Sequence, residues 1–128
     1  MMKKYEIPKV TVIMYVKNGA PYFRRALDSV VGQTLREIEV LIVDGGSMDD
    51  TLEIAEEVSK RDDRVRIFSC GKGSVGAQFN LGVREARGEY IGIVESDDYI
   101  LPEMYETEYR YAKETACDIL RADNHIFF

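Results

Sequence analysis

Ile38–Glu39–Val40–Leu41–Ile42–Val43–Asp44–Gly45–Gly46–Ser47 decides how this chain is to be read. The run from Ile38 to Val43 is too short for a helix and reads as a strand buried on both faces. It ends at Asp44, and Gly45–Gly46–Ser47 supplies the turn. Ser47 with Asp50 three residues later has capping-box spacing, which predicts a helix from about Asp50 to Lys60. Upstream, Val10 to Val16 is a second buried strand rich in β-branched residues. Asn18–Gly19–Ala20–Pro21 then turns the chain, with Pro21 where a helix starts and Phe23, Leu27, Val30 and Val31 at helical spacing.

Downstream the pattern repeats. Val65, Ile67 and Ser69 mark a weaker, edge-like strand, and the glycine-rich turn Gly71 to Gly76 leads into a helix ending near Gly88. Glu89 to Val94 is a fourth strand, which ends in Glu95–Ser96–Asp97–Asp98. A tyrosine-rich helix after Pro102 runs to about Thr115, and Asp118 to Ala122 begins a short strand. Strands alternating with helices imply an α/β three-layer sandwich around a mostly parallel sheet. Right-handed crossovers place every strand's carboxyl end on one edge, where such sheets bind ligands. Asp44 and the cluster Glu95 to Asp98 therefore belong to one rim.

Composition narrows the function. A chain of 128 residues suits one domain, and 45% hydrophobic residues are enough to give it a core. A net charge of −6 without a basic run argues against nucleic acid as a partner, because phosphate backbones need clustered Lys and Arg. The longest apolar run, Val10 to Val16, is far short of the ~20 residues of a membrane span. Met1–Met2–Lys3–Lys4 is not followed by a signal-peptide core. Cys70 and Cys117 lack metal-ligand spacing and read as reduced thiols of a cytoplasmic protein.

The acidic rim carries the chemistry. Glu95, Asp97 and Asp98 would repel one another and any phosphate. A hard divalent cation, Mg²⁺ or Mn²⁺, removes both conflicts by taking carboxylate and phosphate oxygens together. In an extended strand end Glu95 and Asp97 would point the same way and Ser96 away. The plainer reading is that Ser96, Asp97 and Asp98 cap the next helix. Asp44 can accept hydrogen bonds from a nucleoside or can simply form the turn before Gly45. Gly71–Lys72–Gly73–Ser74–Val75–Gly76 matches G-x-G-x-x-G, so an NAD(P)-binding module is an alternative, although the preceding strand is charged.

Four blocks in order resemble family 2 glycosyltransferases: Val10 to Gly19, Ala26 to Thr34, Ile38 to Thr51, and Gly88 to Pro102. The resemblance runs from Val10 to about Ala122. It implies a GT-A, Rossmann-like domain, continuous over 1–128 and truncated after the D-x-D region, that forms the donor-binding part of a longer enzyme. Such an enzyme moves a sugar from a nucleoside diphosphate sugar, with a UDP-sugar favoured, to a glycan or lipid-linked acceptor in cell-surface polysaccharide synthesis. Asp44 resembles the carboxylate that holds the nucleoside, and Val16 to Asn18 resembles the base pocket. Glu95–Ser96–Asp97 resembles the D-x-D motif, with Asp97 as direct metal ligand and Asp98 as its neighbour.

The departures are specific. Glu95 replaces the usual Asp, Gly45 stands where many members have a second Asp, and Tyr15 stands where Pro is common. Gln78–Phe79–Asn80 stands where Ala-Arg-Asn is common, so a cationic nucleotide contact is missing. Family members continue well past this length, and the later part supplies the general base; neither Asp118 nor Asp123 has the context of one. A nucleotide-binding domain without catalysis is therefore the other alternative. His125 reads as a surface residue. The expected location is cytoplasmic, at the inner face of the membrane, and exposed aromatic surface would favour a homodimer.

Overall fold

The computed structural model describes residues 6–71 and 74–120. Among these residues eight elements alternate: β1 (Val10–Val16), α1 (Ala20–Val31), β2 (Ile38–Asp44), α2 (Thr51–Arg61), β3 (Val65–Ser69), α3 (Val75–Glu85), β4 (Tyr90–Ile93) and α4 (Met104–Thr115). Among the described residues the strands form one parallel sheet in the order β3-β2-β1-β4. The chain builds outward from β1 through β2 to β3 and then returns to the other side of β1. That reversal creates a switch point between β1 and β4, where a crevice opens beyond the strand ends.

Pleat and register explain the layers. Val10, Val12 and Met14 of β1 pair with Ile38, Val40 and Ile42 of β2. Successive side chains alternate faces, so these six share one side of the sheet. They pack with Phe23, Ala26, Leu27 and Val30 of α1, Ile54, Ala55 and Val58 of α2, and Tyr105 of α4. On the opposite side α3 crosses β1 and β2, and Gly82 comes so close that a Cβ there would lie 2.8 Å from Ile13 Cγ2. The result is the expected three-layer α/β sandwich.

The opposite side also encloses a charged group. Glu39 is fully buried; it accepts hydrogen bonds from Thr11 Oγ1 (2.6 Å), Arg66 (2.9 Å), and the backbone and guanidinium of Arg87 (2.7 and 2.9 Å). Thr11 in turn accepts from Gly88 N–H. Glu39 thereby ties the starts of β1, β2 and β3 to the loop that leads into β4. Burial pushes its carboxyl up, but the hydrogen bonds from Thr11, Arg87 and Arg66 outweigh this and hold it below the ordinary carboxylate range.

Two boundaries differ from the sequence reading. Ser47 and Asp50 do not form a capping box: Asp50 makes no side-chain cap, and the Asp49 carboxylate accepts from Thr51 N–H and Oγ1 instead. The strand expected from Asp118 is absent over 118–120; Arg121, Ala122, Asp123, His125 and the terminal Ile126–Phe127–Phe128 lie outside the described residues. Cys70 and Cys117 are both free thiols. No described helix is long and apolar enough to cross a membrane.

Tyr105 clamps β4. Its buried ring fills the space left by Gly92, where a Cβ would stand 2.4 Å from the phenol oxygen. Burial, with a smaller contribution from the Glu108 charge, pushes that phenol well above its usual range. Gly92→Ala should therefore cost roughly 1–3 kcal/mol through overpacking, measured by urea denaturation. An unchanged midpoint would mean that Tyr105 is not held against the strand.

Candidate functional site at the carboxyl edge of the sheet

The two turns leaving β1 and β2 are laced together. Asn18 N–H donates to Ser47 Oγ (2.9 Å), and Met48 N–H donates to Asn18 Oδ1 (2.7 Å). Gly19 N–H donates to Thr51 Oγ1 (3.0 Å) and Ala20 N–H to Asp49 Oδ2 (3.1 Å). Asn18 is left-handed at φ 52°, a conformation that Asn tolerates better than most residues. The hydrogen bond from Thr51 is the main reason that the Asp49 carboxyl lies below its ordinary range. These bonds make the floor of the site rigid without drawing on the acidic rim.

A cavity of about 580 Å³ opens above this floor, within the range of small-molecule sites. Its walls are Tyr15 to Gly19 and Tyr22 on one flank, Val75 and Gln78 of α3, and Glu95, Ser96 and Asp97 beyond β4. It thus occupies the β1–β4 switch point. Of the residues singled out from sequence, Val16, Asn18, Glu95, Ser96 and Asp97 line it.

Asp44 does not line it. Asp44 is paired with Val16 and lies on the same edge, but it is 1% exposed. Its Oδ2 accepts from Gly46 and Ser47 N–H (both 2.9 Å), and its Oδ1 accepts from the Ser47 hydroxyl (2.5 Å). The turn-forming alternative therefore describes its present contacts. Oδ1 keeps a second acceptor site, but the 1% exposure of the side chain leaves it closed to a direct nucleoside contact unless the turn moves.

The acidic segment is a turn, not an extended strand end. β4 stops at Ile93, and Asp98 N–H donates to Glu95 C=O (3.1 Å). One carboxylate oxygen each from Glu95, Asp97 and Asp98 then falls within 4.8 Å of the others, all solvent-accessible. Alternation predicted only Glu95 and Asp97 together; the turn adds Asp98. This donor set suits a hard cation, since carboxylate oxygens are its preferred ligands and the exposed side leaves room for water or phosphate.

Tyr22, Val75 and Gln78 escaped the sequence reading as wall residues. The exposed position of Tyr22 on α1, off the apolar stripe, was the available signal. For Gln78 the signal was its place in Gln78–Phe79–Asn80, beside an expected nucleotide contact, but its partners lie far away in sequence. Its Nε2 donates to Val16 C=O (3.2 Å) and Val43 C=O (2.9 Å), bridging the ends of β1 and β2. A Cβ on Gly45 would stand 2.9 Å from this amide. Gly45 and Gln78, two departures from the family pattern, are thus one feature: the missing side chain makes room for the amide. The glycine turn before α3 follows the edge strand β3 rather than a central strand at the switch point, contrary to what a dinucleotide fingerprint requires. Lys72 and Gly73 of that turn lie outside the described residues.

Comparisons with known proteins agree with this geometry. The family model for glycosyl transferase family 2 matches residues 11–124. The chain is 37% identical over 114 residues to the uncharacterized glycosyltransferase EpsJ of Bacillus subtilis (strain 168), covering 89% of this chain and 33% of that protein. It is 37% identical over 116 residues to the chondroitin synthase of Pasteurella multocida (strain Pm70), covering 88% and 12%. Among solved structures, S. aureus TarS 1–349 in complex with UDP-GlcNAc superposes with a TM-score of 0.75 at 29% identity over 83% of this chain and 31% of that one. The mannosyltransferase PcManGT from Pyrobaculum calidifontis, in complex with GDP-Man and Mn²⁺, gives 0.68 at 26% over 89% and 34%. The chain spans about a third of EpsJ and less of the synthase. With a parallel sheet reversed at β1–β4, a cavity at that reversal and this match over nearly its whole length, the chain belongs to glycosyl transferase family 2 and has the GT-A type of fold.

Proposed function

We propose that this domain binds the nucleoside diphosphate sugar of a metal-dependent glycosyltransferase. The observation that carries the reading is the single cavity wall shared by the β1 end, Val16 to Asn18, and the acidic turn, Glu95 to Asp97. The nucleoside lies against Val16 and Asn18, above a floor shaped by Asp44 and Ser47. Asp97 and Asp98, with Glu95, would hold Mn²⁺ or Mg²⁺ beside the diphosphate. When bound, the cation supplies positive charge that offsets the charge gathering on the diphosphate as it departs. The carboxylates position that charge, and the laced turns keep the pocket from rearranging as donor enters. A cation held by these carboxylates would offset their repulsion of the diphosphate, so metal and donor would each favour the other's binding.

UDP-sugar is the favoured donor, and a glycan or lipid-linked acceptor is the favoured partner, in synthesis of a cell-surface polysaccharide at the cytoplasmic face of the membrane. The names of the relatives, chondroitin synthase among them, support this direction. Transfer with inversion needs a base for the acceptor hydroxyl. We place that base beyond the described residues. Association into homodimers belongs to the same proposal.

A thermal-shift panel of UDP, GDP, ADP and CDP, each with and without Mn²⁺, tests the reading. The expected result is stabilisation by UDP or GDP that depends on Mn²⁺. Equal stabilisation with the metal chelated would remove the acidic turn from the site, and stabilisation by NAD instead would remove the donor reading altogether.

A further inference from the structure

Gln78 is the most deeply buried polar side chain in the cavity wall, at 3% exposure. Its orientation is determined by its partners: Val16 and Val43 both present carbonyl oxygens, and only the amide NH₂ can satisfy both. Both Nε2 hydrogens are thereby used. Oε1 is left with its lone pairs, and among the described residues nothing donates to it. Nor is it sealed in protein, since the one fully enclosed polar side-chain atom without a partner among those residues is Arg66 Nε. A pre-oriented acceptor without a donor therefore belongs to a side chain of the cavity wall.

Its place along the edge indicates what it meets. In the order β3-β2-β1-β4 the acidic turn follows β4, whereas Gln78 bridges β1 and β2. With the diphosphate at the acidic turn, the opposite flank receives the nucleoside. Asp44 sits on that flank too, but it is 1% exposed and outside the cavity wall, with both oxygens already accepting from Gly46 and Ser47. Of the two, Gln78 belongs to the cavity wall and its Oε1 has no donor at all among the described residues, and it carries no formal charge that burial would penalise.

We propose that Gln78 selects the donor's base, its Oε1 accepting a hydrogen bond from a ring N–H of the kind carried by uracil N3 and guanine N1. Cytosine presents a lone pair at the corresponding ring nitrogen, so two acceptors would face each other. Gly45 is part of the device, because a side chain there would displace the amide. The inference rests on the donor-binding reading above.

The test is titration calorimetry in Mn²⁺, comparing UDP and GDP with their ring-N-methylated analogues and with CDP. Whichever of UDP and GDP binds should do so at least about tenfold more tightly than its methylated form and than CDP, because a pocket that loses its buried partner strongly rejects the analogue. In Gln78→Ala the native and methylated ligands should agree within about twofold. Equal binding of both ligands to the unmodified protein would overturn the proposal while leaving donor binding intact. So would discrimination that survives in Gln78→Ala. If that variant does not fold, the comparison on the unmodified protein still decides. Failure of both UDP and GDP to bind at all would overturn the donor reading with it.

Discussion

Glu39→Ala is expected to destabilise the domain by roughly 1.5–3 kcal/mol at neutral pH, the worth of the hydrogen bonds made to its buried charge, since the arginines it would leave behind reach solvent. The carboxylate is enclosed, and both Arg66 and Arg87 depend on it. Without it the Arg66 side chain, already holding an unpartnered Nε, keeps only the Glu85 carbonyl among its described hydrogen bonds. Thr11 loses an acceptor, and the Arg87–Gly88 segment loses the tether that sets the start of β4. Urea denaturation measures the loss; a change below about 1 kcal/mol would show that the network contributes little.

The acid dependence follows with a definite sign. Glu39 has a folded-state pKa below its ordinary value of 4.5. Its contribution is therefore complete above 4.5 and declines as pH falls from there through the lowered folded-state value. The stability gap between the unmodified protein and Glu39→Ala should be constant from neutral pH down to about 5 and should close in more acidic solution. A gap that widened on acidification would reverse the assignment of charge to this site.

The second large effect concerns ligand response rather than folding. Asp97→Ala should abolish the Mn²⁺-dependent part of nucleotide stabilisation, about 2.7 kcal/mol at a hundredfold excess of ligand over its Kd. Stability without ligand should change by no more than about 0.5 kcal/mol, because Asp97 is exposed. This pairing separates a ligand role from a structural one. If Asp97→Ala still responds to Mn²⁺ as the unmodified protein does, Asp97 is not the ligand. A drop in unliganded stability would instead give Asp97 a structural part in the turn, since the helix that Ser96, Asp97 and Asp98 were expected to cap begins only at Met104, with Glu103 at its N-cap.

Much of the scaffold was legible because its signals are local. The β1 and β2 runs have the length and branching of doubly buried strands, and all four strand positions and the alternation with helices followed from period and turn chemistry. The weak, charged β3 was recognisable as an edge, and it is one. The boundaries that failed involve short polar segments. At Ser47 to Thr51 several residues offer equally good caps, and contact with the α1 turn chose Asp49. At Glu95 to Asp98 an extended reading and a turn are equally compatible with the residues, and the hydrogen bond to Glu95 closed the turn.

By itself, then, the sequence determined which stretches are strands and helices, that acidic groups end two of those strands, and, through four ordered blocks, the family. Tertiary structure decided which polar atoms are spent and which are left free. Asp44 is consumed by its own turn, Glu39 is an internal ion, and Gln78 reaches across 62 residues of chain to become part of the cavity wall. The physical reason is one of range: apolar periodicity acts over neighbouring turns and pleats, whereas the partner of a buried polar group depends on sheet register and on where a helix crosses the sheet.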